Sequence, residues 1–169
     1  MDLLEAERLA WSLMREHGLL ERGWTLEWGH AKRTLGVAIE SRRDPRSGTV
    51  EPVRVIRLSR PLMRLNSTEE VRDTILHEIA HALVGAAHGH NATWRQKCRE
   101  IGASPQRLAG PQIRTPDRRW AVRCGLCDRL LFERHRRPQR TFLRRVGCRA
   151  CGEASFGSAV LAVRTPGRD

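Results

Sequence analysis

Long apolar runs are missing from this 169-residue sequence. Nothing approaches the roughly 18 consecutive apolar residues of a membrane-spanning helix, so no membrane partner is expected. The first residues, Met1-Asp2-Leu3-Leu4-Glu5, contain neither a basic segment nor an apolar stretch of leader type. That argues against a secretory leader and for the cytoplasm or, in a bacterium, the nucleoid. Lysine is almost absent: Lys32 and Lys97 stand against 29 arginines. Codon bias in a GC-rich genome accounts for that ratio but not for where the charge lies. Residues 1–101 carry a net charge of +2 and residues 102–169 carry +10. A basic tail on a near-neutral body suits a polyanionic partner, most simply nucleic acid. With no leader, the five cysteines are not expected to form a disulfide framework; paired C-x-x-C spacing favours metal.

An apolar fraction of 40% permits a modest core, enough for one domain and a small appendage. Leu3, Leu4, Ala6, Leu9, Ala10, Leu13 and Met14 recur at helical spacing and predict a helix over 2–17, stopped at His17-Gly18. Trp24–Trp28, Leu35–Ile39 and Val53–Leu58 read as strands of a small antiparallel sheet, with residues 29–34 turning between the first two. Ser67-Thr68-Glu69-Glu70 is a capping box that starts a helix running to Val84 and ending at Gly85. A further helix is expected over about Ala92–Ile101, and the prolines and glycine of 109–116 mark a linker.

Within the capped helix lies His77-Glu78-Ile79-Ala80-His81. Positions i and i+4 share a helix face, so two imidazoles there can bind one zinc, and Glu78 beside the first is placed to act as general base. A catalytic zinc takes three protein ligands. Three candidates follow: His90 at the end of a short loop, Glu100 at H-E-x-x-H-x18-E spacing, and His88. The H-x-x-G-x-x-H extension is absent because position 87 is Ala.

Cys124, Cys127, Cys148 and Cys151 form C-x2-C-x20-C-x2-C, the spacing of a structural zinc ribbon. A unit of that size buries little apolar surface and needs such a staple. Its expected strands are Trp120–Arg123, Leu130–Phe132, Thr141–Leu143 and Ala159–Leu161. Cys98 reads as a small core residue. Between the knuckles, Arg134, Arg136, Arg137, Arg140, Arg144 and Arg145 fall within twelve residues, with Phe142 among them. That composition suits binding to a nucleic-acid backbone without base reading.

The run Asp73–Ala82, then Gly89-His90-x-x-x-Trp94, resembles the SprT/Spartan family of metallopeptidases. So do Trp24, Leu35-Gly36, Ile56-x-Leu58-Ser59 and the cysteine ribbon behind them. The resemblance covers residues 1 to about 160 and implies an α+β fold: a zincin-like helical core with a small antiparallel sheet, followed by a small β zinc ribbon. It implies a SprT-like domain over 1–108, a linker over 109–119, a ribbon over 120–163 and a tail over 164–169. It carries the third-ligand role to His90. Asn91 and Ala92 replace the family's Gly and Pro, and Asn91 is expected to supply a left-handed turn residue. Two Zn2+ follow, one catalytic and one structural. The expected activity is hydrolysis of peptide bonds in DNA-bound or DNA-crosslinked proteins, by a monomer that binds DNA, single-stranded or without sequence preference. The alternatives are a nucleic-acid-binding zinc protein with a silent H-E-x-x-H site, and a zinc amidase acting on another substrate.

Overall fold

The computed structural model describes residues 1–107, 110–152 and 160–164. The chain forms two compact units, Met1–Pro116 and Asp117–Asp169. In the first, helix α1 (Leu3–Glu16) starts at Asp2, whose carboxylate and that of Glu5 close a capping box, and ends at His17. Strands β1 (Thr25–Gly29), β2 (Gly36–Arg43) and β3 (Val50–Ser59) follow. Helix α2 (Arg60–Leu65) comes next, then the long helix α3 (Thr68–Val84), a 3-10 turn at Ala86–His88, and α4 (Ala92–Glu100). The start of α3 at the Ser67–Glu70 box and its stop at Gly85 are where the sequence places them.

The sheet has the order β1-β3-β2. The expected hairpin between the first two strands does not form: β1 pairs with β3 in parallel, and only β2 and β3 are antiparallel. The reason is apolar content. Val55, Ile56 and Leu58 make β3 the most buried strand, so it takes the centre and leaves β1 and β2 as edges. Residues 29–34 therefore cross the end of β3 instead of turning tightly. Ser59 holds that crossing: its hydroxyl donates to the Ala31 carbonyl at 2.5 Å and its N–H donates to the Leu35 carbonyl at 2.8 Å. The same hydroxyl accepts from the Leu62 N–H and caps α2, a helix the sequence pattern does not single out.

The core joins Ala10, Leu13 and Met14 of α1 to Ile56 and Leu58 of β3 and to Val71, Ile75, Leu76 and Ile79 of α3. Asn66, 3% exposed, closes its edge. Its amide donates to the Leu62 and Arg114 carbonyls at 2.7 and 3.0 Å and accepts the Arg114 N–H at 2.7 Å. The segment around Arg114, expected as linker, is thereby hydrogen-bonded to the first unit.

The second unit contains β4 (Trp120–Cys124), β5 (Leu130–Arg134), one helical turn α5 (Arg140–Leu143) and β6 (Val160–Arg164). Its sheet runs β5-β4-β6, antiparallel throughout. Thr141–Leu143, expected as a strand, is this helical turn. The Gln139 carbonyl accepts the Phe142 and Leu143 N–H groups, which closes the backbone locally before any ladder can form. Ala159 and residues 165–169 of the expected tail lie outside the described residues. No helix among the described residues is long and apolar enough to cross a membrane.

Candidate active site and metal centres

Helix α3 buries Ile75, Leu76, Ile79, Ala80 and Ala82, which fixes its rotation and turns His77 and His81 together toward a cleft. Gly85 (φ 92°) ends the helix, and Glu40 of β2 accepts the Ala86 N–H at 2.8 Å, tying the 3-10 turn to the sheet. Gly89 (φ 49°, ψ −126°) then reverses the chain in a region that side chains avoid. The left-handed residue is thus Gly89, not Asn91. Asn91 is extended and caps α4, its side chain accepting the Trp94 N–H at 3.2 Å. This loop delivers His90.

His90 Nε2 lies 3.3 Å from His77 Nε2 and 3.2 Å from His81 Nε2, and the three groups can together hold a metal ion. Around a tetrahedral zinc with Zn–N bonds of about 2.0–2.1 Å, ligand nitrogens stand about 3.3–3.4 Å apart, so the donor set fits. The two other candidates lie elsewhere. Glu100 is exposed on α4 and pairs with Lys97 and Gln96. His88 is half-buried and contacts Asn91. Burial, then the neighbouring imidazoles, holds His77 at a pKa of about 4, and burial followed by His90 does the same for His81. His90 is lowered by burial first and by the Arg107 and Arg95 charges second. His77 and His81 are therefore neutral, the form that ligates, near neutral pH, and the shift of His90 runs in the same direction.

Glu78 is 6% exposed. Burial pushes its carboxyl up to about 7, partly offset by the Ala38 N–H. The space for that carboxylate is made by Gly36: a Cβ there would stand 2.7 Å from Glu78 Cγ and 3.0 Å from Oε1. A strand glycine signals close approach, and this one receives the general-base candidate. The roles of Gly36, Ala38 and Glu40 depend on contacts between distant segments, so spacing along the chain does not reveal them. The cleft, of about 510 Å3, is lined by β2 on one side and by Ser104, Gln106, Arg107, Gly110 and Ile113 on the other.

In the second unit, Cys127 and Cys148 Sγ are 3.7 Å apart, and Cys124 and Cys151 Sγ 3.9 Å. With Zn–S bonds of about 2.3 Å, tetrahedral sulfurs stand about 3.8 Å apart, so the four thiols fit a structural zinc. Knuckle amides aim at two of them. The Cys151 N–H heads the causes that lower Cys148 to about 7, and the Leu126 N–H heads those that lower Cys124. Cys98 is fully buried and its thiol is pushed up to about 11, which leaves it an inert core residue.

The six arginines, Arg134 to Arg145, are exposed, and none has a carboxylate partner among the described residues. The Arg134 guanidinium stands 4.2 Å from the Phe142 ring centre, and that of Arg137 stands 5.3 Å from Trp120. These contacts hold two of the cations in place.

The SprT-like family matches residues 9–115. Among solved structures, the chain is similar to the metallopeptidase zymogen abylysin of Pyrococcus abyssi. Identity is 15% and the TM-score 0.40, over 57% of this chain and 78% of that one. Comparison with curated proteins returns no match.

Proposed function

This chain belongs to the SprT-like family of zinc metallopeptidases, and we propose that it hydrolyses peptide bonds in proteins bound or crosslinked to DNA. The observation that carries the peptidase reading is the Nε2 triangle of His77, His81 and His90 beside a buried Glu78. Zinc held by those imidazoles supplies Lewis acidity toward a carbonyl and a water. Glu78 takes a proton from the attacking water and delivers it to the departing amide nitrogen. Burial disfavours the charged form of Glu78, which makes it a stronger proton acceptor than an exposed carboxylate. Because β2 is an edge strand along the cleft, a substrate in extended form can pair with its free backbone groups and lie across the site.

The DNA half of the proposal rests on the ribbon unit. Six exposed arginines without carboxylate partners among the described residues, two of them set against aromatic rings, suit a phosphate backbone and unstacked bases. Joining such a unit to a peptidase raises the enzyme's effective concentration around any protein fixed to the same DNA. Cys124, Cys127, Cys148 and Cys151 hold the structural zinc and His77, His81 and His90 the catalytic one.

The test is cleavage of a basic protein by wild type and by Glu78→Gln, with and without single-stranded DNA. Cleavage that needs both Glu78 and DNA supports the full proposal. Glu78-dependent cleavage indifferent to DNA keeps the peptidase and removes the DNA role. Absence of cleavage with zinc bound at both sites favours a binding module.

A further inference from the structure

A metal-ligating histidine is usually aimed by its second ring nitrogen, which donates to a carboxylate or carbonyl. Here that device is missing on the protein side. Among the described residues, His77, His81 and His90 meet one another through Nε2, and no Nδ1 atom of the three has a protein hydrogen-bond partner. What all three rings share is Trp94. Its ring centre lies 4.7 Å from that of His77, 5.1 Å from His81 and 4.6 Å from His90. It stacks on His81 at 25° and meets the other two at 65° and 79°.

We infer that Trp94 is the positioning residue of the metal centre, an aromatic floor that sets the three imidazoles at ligating angles in place of outer-shell hydrogen bonds. The inference rests on the zinc reading of the three histidines. Two features fix the indole itself. It is fully buried in the first turn of α4, and Asn91 caps that turn through the Trp94 N–H. Its own Nε1 is the one buried side-chain polar atom among the described residues with no hydrogen-bond partner. Packing, not a polar tether, therefore determines where it lies. A buried N–H left unpaired costs stability, and phenylalanine would avoid that cost. The larger two-ring surface is what reaches all three imidazoles. Its π face also suits rings that become more positive on binding a cation.

The test uses the full chain, stripped and reloaded with zinc or cobalt, with affinity measured against a competing chelator. Cobalt spectra separate the sites, because sulfur charge-transfer absorption belongs to the cysteine centre alone. Trp94→Met keeps an apolar filler without a ring, and Trp94→Phe keeps one smaller ring. Met14→Ala, a fully buried core change on α1, is the stability control. Loss of an orienting neighbour typically weakens metal binding by about 10- to 100-fold, the drop expected for Trp94→Met, with about 3- to 10-fold for Trp94→Phe. The cobalt ligand-field bands of the histidine site should change in the same order. Met14→Ala should leave that site's affinity unchanged, and the cysteine site should be constant throughout. Wild-type affinity in both Trp94 variants overturns the inference, as does a Met14→Ala loss equal to theirs. If Trp94→Met fails to fold, Trp94→Phe against Met14→Ala decides: equal affinities refute the role. Failure of the wild-type histidine site to take either metal removes the zinc reading itself.

Discussion

Replacing Gly36 with alanine tests the link between the edge strand and Glu78, the proposed general base. An ideal Cβ at Gly36 would stand 2.7 Å from Glu78 Cγ, 3.2 Å from Cδ and 3.0 Å from Oε1. Carbon atoms rest at about 3.5–4.0 Å, so the carboxylate must retreat by roughly 1 Å. Glu78 has little room to do so, being 6% exposed on a helix whose other face is core. A displacement of that size at a reacting group costs on the order of 100-fold, and a general base as a whole contributes about 10²- to 10⁴-fold. The expected result is a kcat lower by about 10- to 100-fold at similar KM, with the metal content of wild type. Stability should fall by about 0–2.5 kcal/mol. Alanine restricts the unfolded chain, which favours folding by about 0.5–1 kcal/mol, and crowding opposes this by about 1–3 kcal/mol. Steady-state cleavage, metal analysis and urea unfolding of the one variant measure all three quantities. A double variant with Glu78→Asp sharpens the test. The shorter side chain relieves the clash, so the second substitution should cost less in the Gly36→Ala background than alone. Wild-type kcat in Gly36→Ala would refute the reasoning, and so would activity lost in step with zinc.

The other predictions concern the rest of the molecule. Asn66→Ala removes one buried hydrogen bond to Leu62 and two partly buried ones to Arg114 and should destabilise the protein by about 2–4 kcal/mol in urea unfolding; a loss under about 0.5 kcal/mol would show that Asn66 does not hold residues 110–114 in place. For the zinc-free protein, burial depresses His77 and His81 from 6.5 to about 4 and raises Glu78 from 4.5 to about 7. Between pH 6.5 and 4.5 the unfolded chain therefore binds two protons at the imidazoles while the folded chain binds one at Glu78, so stability falls as pH falls. The slope is at most about 1.4 kcal/mol per pH unit, and a flat or opposite profile in chemical denaturation contradicts it. Replacing Arg136, Arg137, Arg144 and Arg145 by Gln should reduce the slope of log affinity for single-stranded DNA against log salt by about 2–3, and an unchanged slope removes the phosphate-contact role.

Periodic and local signals were legible along the chain; ties between distant segments were not. The α3 capping box, the helical face of His77 and His81, and the knuckle spacing depend on residues within a turn or two of one another. Each is therefore visible in a short window. Strand pairing is not local. Nothing in Trp24–Trp28 says that β3 will come between it and β2, because that choice is made by the relative burial of three strands. The helical turn at Arg140–Leu143 fails for a related reason. Thr141-Phe142-Leu143 has strand-like composition, but the Gln139 carbonyl takes the N–H groups a partner strand would need.

The cleft depends mainly on contacts of this second kind. Glu40 holds the Ala86 N–H, Asp73 accepts the Ser104 N–H at 2.6 Å, and Ala38 gives its N–H to Glu78. In each, a carboxylate satisfies a backbone group from another segment, and the two walls of the site are tied to α3 and its loop. Arg33 and Arg107, which also line the cleft, have no carboxylate partner among the described residues. A cleft whose acids are engaged by its own backbone while its guanidinium groups have no such partner among the described residues differs from what a count of charges suggests. Four carboxylates against two arginines reads as an acidic groove, but the groups left available to a substrate are mainly cationic donors. The difference is measurable in peptides that vary only beside the scissile bond. Acidic side chains there should raise kcat/KM relative to basic ones, and Arg33→Gln with Arg107→Gln should erase the preference. A preference for basic side chains would show that the tied carboxylates still dominate the field of the cleft.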